Sequence, residues 1–287
     1  MTGLHDAAAV SALLGSAGLL AGPVTLARLN GGYLNEVLLV ESGDRKMVLK
    51  YFAEPMQATL FPNLPESEAE AARRLAPLDV APAMLGFWPD QQALLCEYVS
   101  GGAWEHDLES VAALLLRKES ADPSGFRKVS PTPAEILAEG DRFLARAGGL
   151  DRPSRPQVIE VPAAAKLSLI HTDVGAANLV GCGTALRLVD WQCAAAGDLC
   201  EDIFSFLAPS FQVLSERAPF TRAERARFFA ALGRPDIQER YAALEPFFAW
   251  RMLGYCALRA QLHPEAAIRA RYQQAMQAEL GSVANRT

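Results

Sequence analysis

Cysteine is sparse and unpaired in this chain. Of the five present, Cys96, Cys182, Cys193, Cys200 and Cys256, no two form a Cys-x-x-Cys pair. An odd, scattered set without metal-ligand spacing argues against a disulfide framework or a zinc site. It fits reduced thiols serving as small core residues, and a cytoplasmic protein is the expectation. Histidine is rarer still, and His5, His106, His171 and His263 offer no metal cluster. A basic stripe is also missing. With a net charge of −6 the chain is not expected to bind nucleic acid. No apolar run suits a bilayer. Residues 7–22 are uncharged, but they are short, rich in Gly and Ser, and preceded by His5-Asp6 rather than a basic segment. They read as an N-terminal helix packed on the first domain, not as a signal or a membrane span. No repeat period is visible.

What is there is a large apolar inventory. Hydrophobic residues make up 51% of 287, enough for one large or two ordinary domains with a sizeable core. The charge is uneven, with residues 1–150 at −7 and residues 151–287 at +1.

The first third reads as a β-meander and a helix. Val24–Leu29, Val37–Val40 and Lys46–Tyr51 alternate or carry β-branched residues, joined by Asn30-Gly31-Gly32 and Ser42-Gly43-Asp44. Gly31 and Gly32, followed by Asn35, would let backbone N–H groups approach an anion; a plain hairpin turn uses the same residues. Lys50 lies in an apolar strand, where its ammonium either meets a partner or points outward to solvent. The following segment, Pro65 to Leu75, has Pro and acids in its first turn and Ala72 and Leu75 on one face. Glu68 shares that face and is the expected partner of Lys50, with Glu70 in reserve. Met84–Trp88 and Ala93–Val99 complete five antiparallel strands. Glu97-Tyr98-Val99 followed by Ser100-Gly101-Gly102 suggests a hinge, where backbone groups near Glu97 and Val99 would pair with an adenine edge; an ordinary linker needs the same residues. From Trp104 on the pattern is helical: Leu108–Arg117, Pro133–Ala147, a helix opening at Asp198 through Leu207, then Thr221–Leu232, Ile237–Leu262 and Glu265–Leu280. Asp198 and Glu201 fit N-terminal capping positions.

Residues 168–192 carry the chemistry. Leu169-Ile170 leads into His171-Thr172-Asp173, Leu179-Val180 follows Asn178, and Leu186–Val189 leads into Asp190, with Gly181-Cys182-Gly183 as the reversal. This spacing places a carboxylate, an amide and a second carboxylate on the ends of neighbouring strands. Phosphoryl transfer from ATP uses such a set: Asp173 to orient a hydroxyl and accept its proton, Asn178 and Asp190 to hold Mg²⁺ against the phosphates. Each alone is also an ordinary turn residue. No Asp-Phe-Gly or Ala-Pro-Glu segment of a protein kinase is present.

In order along the chain stand Gly-Gly-x-x-Asn at 31–35, Val-Leu-Lys at 48–50, Glu-x-x-x-x-Arg-x-Leu at 68–75 and Glu-Tyr-Val-x-Gly at 97–101. His-Thr-Asp…Asn at 171–178, Leu-Val-Asp-Trp at 188–191 and Gly-Asp…Glu-Asp at 197–202 follow. From about residue 24 to about 260 the chain thereby resembles the aminoglycoside phosphotransferase and choline/ethanolamine kinase superfamily. The resemblance implies an α+β, bilobal protein-kinase-like fold. A nucleotide-binding lobe, residues 1–99, would hold a five-stranded antiparallel sheet with a helix. A larger, mainly helical lobe, residues 100–287, would carry catalysis and substrate. ATP would sit between them, with Asp173 as base, Asn178 and Asp190 as Mg²⁺ ligands, Lys50 and Glu68 as phosphate anchor, and His171 bracing the catalytic loop. Two departures stand out. Thr172 takes the place of the family's usual Gly, and Arg117-Lys118 that of a Leu-His pair; both are expected to bear on substrate-side structure. Trp104, Trp191, Phe247, Phe248, Trp250 and Tyr255 are candidates for an aromatic cage, tilting the acceptor toward a choline-like or ethanolamine-like amino alcohol. An aminoglycoside acceptor and a catalytically silent pseudokinase are the alternatives.

Overall fold

The computed structural model describes residues 6–20, 22–29, 34–54, 59–129, 132–148 and 154–284. An N-terminal helix, α1 (Ala7–Ser16), precedes β1 (Thr25–Arg28), β2 (Glu36–Ser42) and β3 (Arg45–Tyr51). Then come α2 (Pro65–Leu75), β4 (Met84–Trp88) and β5 (Ala93–Glu97). The five strands form one antiparallel sheet in the order β1-β2-β3-β5-β4. Side chains alternate across it with period two. Leu38, Val40, Met47, Leu49, Tyr51 and Leu95 pack with Val10 and Leu14 of α1 on one face. Leu94 packs with Phe52 and Ala69 of α2 on the other. Lys50 stands in register opposite Val37 and Leu94, so its side chain emerges on the α2 face and not in solvent.

The rest is mainly helical: α3 (Leu108–Lys118), α4 (Pro133–Arg146), α5 (Leu199–Leu207), α6 (Pro209–Leu214), α7 (Arg222–Leu232), α8 (Pro235–Leu262) and α9 (Ala266–Ala284). The short α6 is not anticipated from the sequence. Its Pro209 restarts a helix after α5 ends at Leu207. Helices α4 and α8 approach closely because Gly140 and Gly254 lie in their contact. A Cβ on Gly140 would come within 2.9 Å of the Arg251 Cα, and one on Gly254 within 2.6 Å of the Gly140 carbonyl.

The segment read as neighbouring strands forms two separate pairs. Strand β6 (Ser168–Ile170) pairs with β9 (Ala195–Gly197), while β7 (Leu179–Val180) pairs with β8 (Arg187–Leu188). Residues 127–129 extend the first pair, since the Ala196 N–H donates to the Arg127 carbonyl and the Val129 N–H to the Ala196 carbonyl. Residues 102–104 extend the second in the same way, through Gly181 N–H to Gly102 and Trp104 N–H to Leu179. Among the described residues no helix is long and apolar enough to cross a membrane.

Candidate active site

Helix α2 sets the first half of the site. Glu68, Ala72 and Leu75 lie one turn apart and point inward, while Glu70 faces out and pairs with Arg73 and Arg74. Lys50 Nζ is 2.5 Å from Glu68 Oε2, contacts Asp190 Oδ1, and donates to Gln192 Oε1 at 3.1 Å. Lys50 and Glu68 are buried. Burial alone would lower the Lys50 pKa, but the Asp190 and Glu68 carboxylates outweigh it and hold it above its ordinary value. Gln192 was not singled out from the sequence, although it stands two residues after Asp190. It ties this cluster to Asn35, which donates to it at 2.6 Å. Asn35 lines the cleft, yet its amide is used by Asn63, Gln192 and the Ala53 N–H. It braces the wall and has no spare polar group for a nucleotide. Gly31 and Gly32 lie outside the described residues.

The second half is built by the catalytic loop. After β6 the chain turns through His171 and Thr172, whose backbone N–H groups both donate to the Asp202 carboxylate, at 3.0 and 2.7 Å. Asp202 is balanced by Lys118 Nζ at 3.0 Å, and both side chains are fully buried. The departure at Lys118 therefore supports the catalytic loop; it is not a substrate-side feature. Thr172 has φ +70°, a left-handed conformation unusual for a β-branched residue. Its hydroxyl holds it there by donating to the Cys193 carbonyl at 3.2 Å. His171 is buried, with Nε2 2.9 Å from the Val189 carbonyl and Nδ1 accepting from the Asp173 N–H at 3.2 Å. One neutral tautomer satisfies both contacts, and burial pushes its pKa down, which keeps it neutral.

The β7–β8 pairing brings the metal-ligand candidates side by side, because the Val189 N–H donates to the Asn178 carbonyl at 2.9 Å. The Asn178 side-chain NH₂ donates to the Asp173 carbonyl at 2.9 Å, which leaves its amide oxygen for other partners. Burial, with Asp190 adding a like charge, pushes the Asp173 carboxyl up to about 7, although the Asn178 hydrogen bond acts against the rise.

Lys50, Glu68, Asn178 and Asp190, but not Asp173, line a cavity of about 290 Å³ between the sheet and the helical part. Val48, Cys96, Glu97, Tyr98 and Val99 line it too. The Glu97 N–H is already donated to the Ala83 carbonyl, which leaves it no part in pairing with an adenine edge. A second, smaller cavity of about 130 Å³ lies against Thr172, lined by Arg127, Lys128, Glu139, Glu201 and Arg251 among others. Glu201 does not cap α5. Asp198 does, accepting from the Cys200 N–H at 3.0 Å, while Glu201 is buried against Arg251. The six aromatic residues expected to form a cage do not form one; the cavity beside Thr172 is instead lined by Phe61, Phe204 and Phe211. Trp104, Trp191, Phe247, Phe248, Trp250 and Tyr255 are all buried in the core, none more than 8% exposed.

The donor set suits Mg²⁺ of the substrate-bound kind. Among the described residues no group of three or more His, Cys, Asp or Glu side chains could hold a metal ion. One carboxylate, Asp190, and one amide oxygen, Asn178, do fit an ion that takes its remaining ligands from water and phosphates.

Comparison with known proteins agrees with this arrangement. The profile described as "Phosphotransferase enzyme family" matches residues 25–247. A thiamine kinase of Salmonella gallinarum is 27% identical over 177 residues, covering 61% of this chain. The chain spans about 61% of the length of that relative. A choline/ethanolamine kinase family protein from Mesorhizobium loti has the same fold, with a TM-score of 0.65 at 16% identity over 90% of this chain and 87% of that one. A spectinomycin phosphotransferase solved with ADP and spectinomycin superposes with a TM-score of 0.59 at 11% identity, covering 96% and 94%.

Proposed function

The chain belongs to the phosphotransferase enzyme family, and from that premise we propose that it transfers the γ-phosphate of ATP to a hydroxyl of a small molecule. The observation that carries this reading is the meeting of Lys50, Asn178 and Asp190 in a cleft that also reaches residues 97–99, with the Asn178 side chain hydrogen-bonded to the Asp173 backbone. Residues 1–99 would form the nucleotide lobe and 100–287 the catalytic lobe.

In the mechanism, Lys50, fixed by Glu68, turns from Asp190 to the phosphates when the nucleotide arrives. Asn178 and Asp190 would hold Mg²⁺, which neutralises phosphate charge. Asp173 accepts a hydrogen bond from the acceptor hydroxyl and takes its proton as the oxygen attacks phosphorus and the bond to ADP breaks. The raised Asp173 pKa suits a group that must take up a proton near neutrality.

An amino alcohol remains an acceptor class to test. With the six expected cage residues in the core, its support is the likeness to kinases of thiamine and to the choline/ethanolamine kinase family. A polycationic antibiotic is disfavoured, because the cavity beside Thr172 sets Arg127, Lys128 and Arg251 against only Glu139 and Glu201. The test is ATP turnover with Mg²⁺ across a panel of small alcohols. The expected result is one phosphorylated alcohol per ADP formed, and ATP binding without transfer to any alcohol would refute the reading.

A further inference from the structure

The smaller cavity holds a cation, Arg127, that makes no direct ion pair among the described residues, although Glu139 and Glu201 line the same cavity. Arg251 is committed, since its guanidinium pairs with Glu201 and lies 3.5 Å from Glu139. Arg127 is different. Its Nη2 donates to the Cys193 carbonyl at 2.8 Å, its Nε, like that of Arg251, is buried without a hydrogen-bond partner, and, although Glu139 and Glu201 lie near enough to favour its charge, it forms no ion pair with a carboxylate among the described residues. Exposed Lys128 beside it also has no carboxylate partner among them. A guanidinium keeps its charge in almost any surroundings, so partial burial without an anion is unfavourable unless a ligand supplies one.

We propose that the phosphate acceptor carries an anionic group, a carboxylate or a phosphate ester, received by Arg127 in the cavity beside Thr172. The inference rests on the kinase reading above and narrows its substrate. Two features place the anion close to the reacting hydroxyl. Arg127 Nη2 and the Thr172 hydroxyl donate to the same Cys193 carbonyl, and Thr172 immediately precedes Asp173. The cavity, about 130 Å³, accommodates a small group rather than a sugar ring system. Arg127 is also held in place before any ligand arrives, because residues 127–129 hydrogen-bond to β9. A carboxylate or phosphate would meet guanidinium donors in charge-assisted hydrogen bonds, with Lys128 adding to the field.

The test is steady-state kinetics with ATP and Mg²⁺ on matched alcohols that differ only in the acid group. Ethanolamine against serine forms the carboxylate arm, and glycerol against glycerol 3-phosphate the phosphate arm. Wild-type kcat/KM should favour the acidic member of at least one arm by about tenfold or more, and the favoured arm identifies the anion. Arg127→Gln should raise KM for that acidic member by about tenfold or more, cost the non-acidic member far less, and leave kcat largely intact; Arg127→Lys should recover part of the loss. A wild type that prefers the non-acidic members would overturn the proposal while leaving the kinase reading intact. So would an Arg127→Gln variant that loses activity equally on both members, which would make Arg127 a packing residue. Failure to phosphorylate any alcohol would sink both readings.

Discussion

At the scale of single residues, Asp173 holds a poor position for a charge and a good one for a base. Its carboxyl titrates near 7 in the folded chain, against about 3.9 when unfolded. The folded state therefore binds the proton more tightly, and stability contributed by the protonated form is present at low pH and lost as pH rises from about 4 through about 7. Asp173→Asn mimics the protonated form. Without nucleotide, its thermal midpoint should match wild type near pH 4 and exceed it by a few degrees at pH 8. An advantage that shrank as pH rose would contradict the sign. The same variant should lose turnover by about 10²–10⁴-fold, the usual range for a general base, while still binding MgATP; retained turnover would remove Asp173 from the chemistry. The types and spacing of Asp173, Asn178 and Asp190 are legible in the sequence because they lie within 18 positions of one another. Gln192 lies in the same stretch, but an amide two residues after Asp190 carries no local signal of its role. Its partners, Lys50 and Asn35, are 142 and 157 positions away.

At the scale of elements, strand alternation and helix caps locate nearly every segment, and tertiary pairing decides what each one does. Glu201 illustrates the limit. Acids in a first helical turn are ordinary caps, so nothing local distinguishes a cap from a buried ion pair with Arg251, 50 positions on. Lys118 is a sharper case. Its sequence position points it to the substrate side, yet it is fully buried and joins α3 to α5 through Asp202, which in turn holds the backbone of His171 and Thr172. Lys118→Met strands a buried carboxylate and should cost roughly 3–5 kcal/mol of stability in urea unfolding. Adding Asp202→Asn should recover part of that loss, since an amide oxygen can still accept from the loop N–H groups. If the double variant were less stable than Lys118→Met alone, the loop would not depend on that ion pair.

At the scale of the whole molecule, polar contacts join the sheet and the helical part across the cleft. Lys50 to Asp190, Lys50 to Gln192 and Asn35 to Gln192 span it at the active end. A nucleotide filling the 290 Å³ cavity would touch β3, β5, the 97–99 segment and the Asn178–Asp190 hairpin at once. It would bind only the folded arrangement, and so it should stabilise the entire chain by mass action. At about 100-fold excess over Kd that is about 2.7 kcal/mol, or a rise in Tm of roughly 4–5 °C for a chain of this size. Magnesium should be needed for most of the rise, because without it two carboxylates, Asp190 and Glu68, line the cavity with Lys50 as the principal opposing charge. Thermal unfolding with ATP, with ATP and Mg²⁺, and with ATP, Mg²⁺ and EDTA separates these contributions. Asp190→Asn should lose most of the Mg²⁺-dependent part and keep a nucleotide-dependent remainder. An equal rise with and without Mg²⁺ in wild type would mean that Asn178 and Asp190 do not hold the metal.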